Sequence, residues 1–224
     1  LAMDVTKPLL ISKYDTVYLD SLTGQHVLLP SDVLDTAYDA CGFDTIVMSK
    51  TSFSCADTGT QSVIVTATDL AGNSETKTAM VYVADGTSPS FNIVANHQLY
   101  LDNLGQAALS FADLVVGVPY DNCGIADTIF QSAFNCTNIG ASYKTLSLTD
   151  FSGNTTTKLF YIIVSDTVKP VLVTQNITVP IDTATGQAVI LPGQLIVSAT
   201  DNCGINPTSI TISQNTFGCG NLGF

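Results

Sequence analysis

An internal repeat of about 81 residues constrains the fold of this chain more than any other feature. The segment DVTKP at Asp4–Pro8 returns as DGTSP at Asp85–Pro89 and as DTVKP at Asp166–Pro170. The segment TDLAGN at Thr68–Asn73 returns 81 residues later as TDFSGN at Thr149–Asn154. Landmarks that recur in one order and at one period predict tandem copies of a single folding unit.

The repeat divides the chain into four parts. We predict the tail of a preceding repeat at 1–3, repeat 1 at 4–84, repeat 2 at 85–165 and repeat 3 at 166–224. Repeat 3 is incomplete, because nothing in it matches residues 61–84 of repeat 1. One interpretation is a segment of a longer array. The other is a homopolymer in which another chain completes the sheet by β-strand addition.

Within each repeat the local patterns are those of β-strands. Apolar and polar residues alternate in SVIVTATD at Ser62–Asp69 and in TAMVYVAD at Thr78–Asp85, and a Gly-Asn turn between them predicts a hairpin. Edge strands are expected at Thr16–Asp20, Gln98–Asp102 and Thr178–Asp182, and a helical turn only within Leu109–Gly117. About seven short strands in 81 residues predict an all-β chain of tandem immunoglobulin-like β-sandwich domains.

The charge of the chain excludes several classes of partner. The formal net charge is −12, and charged residues make up only 12% of the sequence, against about 25% in ordinary domains. All seven basic residues are lysines, so the basic patches that nucleic-acid binding requires are not expected. No apolar run reaches the length of a membrane span. An acidic, lysine-poor chain is instead compatible with binding a hard cation.

The combined motifs resemble those of a known repeat type. Read in order, D-x-x-x-P, D-x-C-G, F-x-C-x-x-x-G and T-D-x-x-G-N are similar to the hyalin-repeat (HYR) and related immunoglobulin-like repeats of secreted bacterial proteins. The resemblance covers essentially the whole chain, although repeat 3 lacks the T-D-x-x-G-N segment. It implies β-sandwich modules in tandem, located outside the cell or at its surface, with adhesive or structural roles and no catalytic residues.

Each repeat contains two cysteines at matched positions, which indicates disulfides. We predict bonds inside each repeat: Cys41 with Cys55, Cys123 with Cys136, and Cys203 with Cys219. Zinc binding is disfavoured, because the cysteines are isolated and the two histidines occupy unequal positions. Redox catalysis is disfavoured because the sequence lacks a CxxC motif. Structural disulfides in turn indicate an oxidising, extracellular compartment.

Aspartates recur at the repeat boundaries, before the first cysteines and at the hairpin corners. The candidate ligands are Asp4, Asp39, Asp69, Asp85, Asp121, Asp150, Asp166 and Asp201. Two interpretations stay open. Aspartate forms turns by accepting hydrogen bonds from its own backbone. In the other interpretation, aspartates from a junction and from loops of adjoining repeats converge on Ca²⁺. No cofactor is required, and Ca²⁺ is the only one that these residues suggest.

Taken together, the sequence predicts a structural or adhesive segment of an extracellular repeat protein. Its partners would be the neighbouring repeats of the same protein, joined by short linkers into a stiff stalk or filament. The alternative is a carbohydrate- or ligand-binding accessory module of a secreted enzyme. The sequence contains no GxSxG motif and no repeated carboxylate–histidine pair, so we do not expect it to be an enzyme.

Overall fold

The computed structural model describes residues 3–221, and these residues form mainly short β-strands. The strands are β1 (Leu9–Ser12), β2 (Tyr14–Tyr18), β3 (Gln25–Val27), β4 (Leu34–Tyr38), β5 (Phe43–Met48), β6 (Ser52–Ser54), β7 (Gly59–Asp69), β8 (Ser74–Ala84), β9 (Ser90–Ile93), β10 (Asn96–Tyr100), β11 (Gln106–Ala108), β12 (Val115–Tyr120), β13 (Ile125–Phe130), β14 (Ala133–Asn135), β15 (Gly140–Asp150), β16 (Thr155–Ser165), β17 (Val171–Thr174), β18 (Gln187–Val189), β19 (Ile196–Thr200) and β20 (Thr216–Gly218).

Repeat 1 is a β-sandwich built around one four-stranded sheet. The hydrogen-bonded order of this sheet is β2-β8-β7-β5, in which β2 and β8 are parallel and the other pairs are antiparallel. The antiparallel pairs β1–β4 and β3–β6 supply the remaining strands. The predicted hairpin is therefore confirmed as β7 and β8, which join through the turn that follows Asp69.

The alternation seen in the sequence places one side of the β7–β8 hairpin in the core of repeat 1. Val63, Val65, Val81 and Val83 are fully buried, whereas residues between them face outward. Phe53 of β6 packs into the same hydrophobic cluster. Because successive side chains of a strand point to opposite faces, a strict alternation of this kind buries one face and leaves the other polar.

The chain divides into two compact units. Unit 1 contains residues 1–93, 115–130 and 145–159, and unit 2 contains residues 94–114, 131–144 and 160–224. Within unit 1, β9 pairs with β12 and β13 pairs with β15, both antiparallel. Within unit 2, β10 runs parallel to β16, and the antiparallel pairs are β11–β14, β17–β19 and β18–β20.

Three single helical turns interrupt the strands at equivalent places: α1 (Pro30–Val33), α2 (Phe111–Leu114) and α3 (Pro192–Leu195). The sequence predicted only α2. Proline at the start of α1 and α3 fits a helix, because the first helical residues need no intrahelical N–H partner. No described helix exceeds one turn, so none of them could span a membrane.

Repeat 3 lacks a strand at a position where repeat 1 has one. The edge strand predicted at 178–182 is wrong, because these residues carry no strand. In repeat 1 the equivalent strand, β2, pairs with β8, and repeat 3 has no matching sequence for that partner. All four residues of β17 are exposed. Of the repeat tail predicted at 1–3, Leu1 and Ala2 lie outside the described residues, as do residues 222–224 of repeat 3.

Candidate functional site: disulfide joints and buried carboxylates

The two disulfides connect different repeats. Cys55 is bonded to Cys123 and Cys136 to Cys203, in each case across 5.3 Å between Cα atoms. The pairing predicted inside each repeat is therefore wrong, and Cys41 and Cys219 are exposed free thiols. The second cysteine of one repeat meets the DxCG loop of the next repeat, so the bond crosses the joint instead of closing a local turn.

The joint between repeats 1 and 2 also contains hydrogen bonds that depend on Asn122. Its side-chain Nδ2 donates to the carbonyl of Asp20 in repeat 1 (3.3 Å) and to Oδ1 of Asp85 in repeat 2 (3.2 Å). Tyr120 donates its hydroxyl to the carbonyl of Leu22 at 2.6 Å. The joint is thus fixed by one covalent bond and by polar contacts from Asn122 of the DNCG loop and from Tyr120 directly before it.

The joint between repeats 2 and 3 repeats this arrangement. Asn202, the equivalent of Asn122, donates Nδ2 to the carbonyl of Asp102 (2.8 Å) and to Oδ1 of Asp166 (3.2 Å). Sequence reasoning singled out the aspartate and the cysteine of DNCG but not this asparagine. The sequence signal that could have identified this asparagine is its presence at the same position of both DNCG motifs.

A glycine in each joint lets the two backbones approach closely. Gly24 adopts a φ of +63°, and a methyl group added there would lie 2.6 Å from the carbonyl oxygen of Asn122 and 2.7 Å from Sγ of Cys55. Gly105 occupies the same place in the second joint, where a methyl group would lie 2.6 Å from Sγ of Cys136. Both positions require glycine for the positive φ and for the space.

The two free cysteines are the unpaired equivalents of the bonded ones. Cys41 corresponds to Cys123 and Cys203, whereas Cys219 corresponds to Cys55 and Cys136. The loop of Cys41 has Ala40 in place of the asparagine, so it lacks the amide that bonds to a preceding repeat. The nearby carboxylate of Asp4 raises the pKa of the Cys41 thiol, and the charges of Asp39 and Asp69 add to this effect.

Six of the eight predicted carboxylates come together in two groups of three. Oxygen atoms of Asp85, Asp121 and Asp150 lie within 4.8 Å of one another, and those of Asp4, Asp39 and Asp69 form the same arrangement in repeat 1. In repeat 3, Asp166 and Asp201 have no third member, because the position that matches Asp150 falls after Phe224 in the alignment of repeats.

Turn formation accounts for part of the aspartate pattern. Oδ1 of Asp150 accepts hydrogen bonds from the backbone N–H groups of Ser152 and Asn154, both at 2.8 Å, and Oδ2 accepts from the side-chain amide of Asn154. Oδ1 of Asp121 likewise accepts from the N–H of Cys123 at 2.9 Å. Burial raises the pKa of Asp121, and the charges of Asp150 and Asp85 raise it further.

Comparison with known proteins found no matching family, but it found solved structures of low sequence identity. No protein-family model and no curated protein matches the chain, so the hyalin-repeat similarity stays a resemblance. Similar solved structures include immunoglobulin domains 1–4 of Sidekick-1 (TM-score 0.39, 9% identity, 70% of this chain and 48% of that one). Others are cadherin domains 1–4 of protocadherin gamma B7 (0.31, 12%, 84% and 57%) and fibronectin(III)-like modules of Clostridium thermocellum CbhA (0.30, 11%, 71% and 94%).

The fold class follows from the strands of the chain itself, which is all-β with immunoglobulin-like repeats. The chain spans about half the length of the Sidekick-1 and protocadherin structures.

Proposed function

We propose that this chain is a structural or adhesive segment of an extracellular repeat protein, in which every repeat is covalently bonded to the next. The observation that carries the proposal is the position of the two disulfides, which cross the joints. A bond inside a repeat would stabilise that repeat alone. A bond across a joint restricts the motion of one repeat against its neighbour, which is what a stiff stalk or filament needs.

The polar contacts support the same function. At each joint one asparagine side chain bonds to a carbonyl of the preceding repeat and to the first aspartate of its own repeat. Disulfides persist in oxidising environments, so the proposed location is outside the cell or at its surface. Cys41 and Cys219 are then the positions at which further repeats would be bonded.

Single-molecule stretching tests whether the joints transmit tension. In the oxidised chain the disulfides close segments of 68 and 67 residues, which cannot extend even when the sandwiches unfold. Reduction should therefore lengthen the fully extended chain by roughly 450 Å, at about 3.4 Å per residue. The double variant Cys55→Ser/Cys123→Ser should gain half of that length without reductant. An extension that reduction leaves unchanged would contradict the proposed joints.

Assembly into a homopolymer by strand addition belongs to the same proposal. Repeat 3 has a groove of about 1050 Å³ lined by both polar and apolar residues, and the apolar ones include Leu172, Ile177, Ile190, Leu195, Ile212 and Phe217. In repeat 1 the β7–β8 hairpin covers the core at the corresponding place. An added β-strand from another chain is the proposed occupant.

Light scattering of the chain with Cys41 and Cys219 both replaced by serine tests this assembly without new disulfides. We expect oligomers that increase with protein concentration, because an open sheet edge and an exposed apolar face favour association. The matched control is the same variant with Ile190→Asp and Ile212→Asp in the groove, which should remain monomeric. A serine variant that stays monomeric up to high concentration would rule out strand addition.

A further inference from the structure

We propose that Asp85, Asp121 and Asp150 bind one divalent cation of the Ca²⁺ type, and that Asp4, Asp39 and Asp69 bind a second. Three different parts of repeat 2 bring the first set together. Asp85 follows β8, Asp121 follows β12, and Asp150 ends β15. Asp85 is 8% exposed and Asp150 only 2% exposed, so the group lies below the surface.

Two carboxylate oxygens in this group are buried and have no hydrogen-bond partner: Oδ2 of Asp85 and Oδ2 of Asp121. The other oxygen of each residue is occupied, because Asp85 Oδ1 accepts from the N–H of Thr87 at 3.0 Å and Asp121 Oδ1 from that of Cys123. A buried carboxylate oxygen without a partner is energetically unfavourable. A cation held between the two oxygens would remove that cost.

The combined negative charge of the three carboxylates also favours a bound cation. Three carboxylates lie together, and the ion pairs found in residues 3–221 all use other acidic side chains. Like charges held this close repel one another, and a divalent cation between them would offset that repulsion. Turn formation explains the bonds of Asp150, but it leaves one buried oxygen of Asp85 and one of Asp121 without a hydrogen-bond partner.

The chemistry of the ligands selects the ion. All the side-chain donors are carboxylate oxygens, whereas zinc sites in proteins generally use sulfur or imidazole nitrogen. Ca²⁺ takes six to eight oxygen ligands and tolerates irregular geometry, so backbone carbonyls and water can complete its shell. Repeat 1 supplies a second example, in which Asp69 is 1% exposed and Oδ2 of Asp4 is buried without a partner.

In repeat 2 the proposed ion is connected to the joint through Asn122. This side chain donates one hydrogen bond to Asp85, a proposed ligand, and another to the carbonyl of Asp20 in repeat 1. A cation that fixes the carboxylate of Asp85 therefore also fixes the asparagine that bridges the repeats. This coupling rests on the proposed function of the joints, whereas the binding of the ion does not.

Calorimetric titration of the metal-free chain with CaCl₂ tests the site. We expect two ions per chain, and a rise of several degrees in the melting temperature at saturation, because a ligand that binds only the folded state stabilises it. Asp121→Asn and Asp39→Asn should each remove one ion and leave the other. Asp102→Asn is the control, since Asp102 forms a similar turn but belongs to neither group.

Each outcome of this titration decides the proposal. Absence of binding to the wild-type chain overturns it, as does an unchanged count of two ions in both Asp121→Asn and Asp39→Asn. Because the two variants affect different repeats, the failure of one to fold leaves the other as the test. The stretching experiment involves no added ion, so failure of the cation site and failure of the disulfide joint are separately visible.

Discussion

Replacing Cys55 and Cys123 by serine is expected to lower the free energy of unfolding of the first joint by about 4 kcal/mol. The bond joins residues 68 positions apart, and the entropy of closing a loop of that length gives about 4 kcal/mol at 25 °C. Cys136→Ser/Cys203→Ser should have a similar effect, because its separation of 67 residues is nearly the same. Urea unfolding measured under non-reducing conditions gives both values.

The control for this experiment is Cys41→Ser/Cys219→Ser. Both thiols are exposed and unbonded, so we expect a change within about 0.5 kcal/mol, as for most surface substitutions. The control also separates the two possible pairings. If Cys41 were bonded to Cys55 inside repeat 1, Cys41→Ser would be as damaging as Cys55→Ser, and the pairing across the joints would be wrong.

Mild oxidation is expected to join separate copies of the chain end to end through Cys219 of one copy and Cys41 of another. The chain already makes this bond twice between equivalent cysteines, and these two are the remaining exposed halves. A small disulfide such as oxidised glutathione supplies the oxidant. One protein thiolate displaces a glutathione thiol, and the second then displaces the other, which leaves one protein disulfide and two reduced glutathiones.

Non-reducing electrophoresis should then show a ladder of multiples of the chain that collapses on reduction. The single variants Cys41→Ser and Cys219→Ser should stop at dimers, because each retains one free thiol. Ala40→Asn should strengthen the ladder, since it restores the asparagine that Asn122 and Asn202 provide in the internal joints. If both single variants polymerise as the wild type does, the proposed end-to-end contact is refuted.

The local elements of the fold were predictable because they depend on neighbouring residues. Alternation around Val63 and Val65 and the Asp69–Asn73 turn define the β7–β8 hairpin from a few residues of sequence. The helical turns α1 and α3 were missed, because four residues are too few to show a helical period. Their prolines, Pro30 and Pro192, were the only local signal.

The pairing of the cysteines was not predictable in the same way. Cys41 and Cys55 are close along the chain, so a local bond was the simpler hypothesis, but the sequence does not encode how one repeat is placed against the next. That placement depends on Gly24, Asn122 and Tyr120. Each of them contacts a residue of the neighbouring repeat that is about 100 positions away in the sequence. The recurrence of the aspartates marked them as a set, but it predicted ligands from adjoining repeats, whereas each group of three lies within one repeat.

The long separation of the bonded cysteines also dictates an order of events during synthesis. Cys41 precedes Cys55 by 14 residues, whereas the native partner Cys123 follows it by 68. In an unfolded chain the shorter loop closes more readily by about 1.4 kcal/mol, or about tenfold. Oxidation of the emerging chain would therefore favour the incorrect bond, and the first sandwich must fold and separate these thiols before the next DNCG loop arrives.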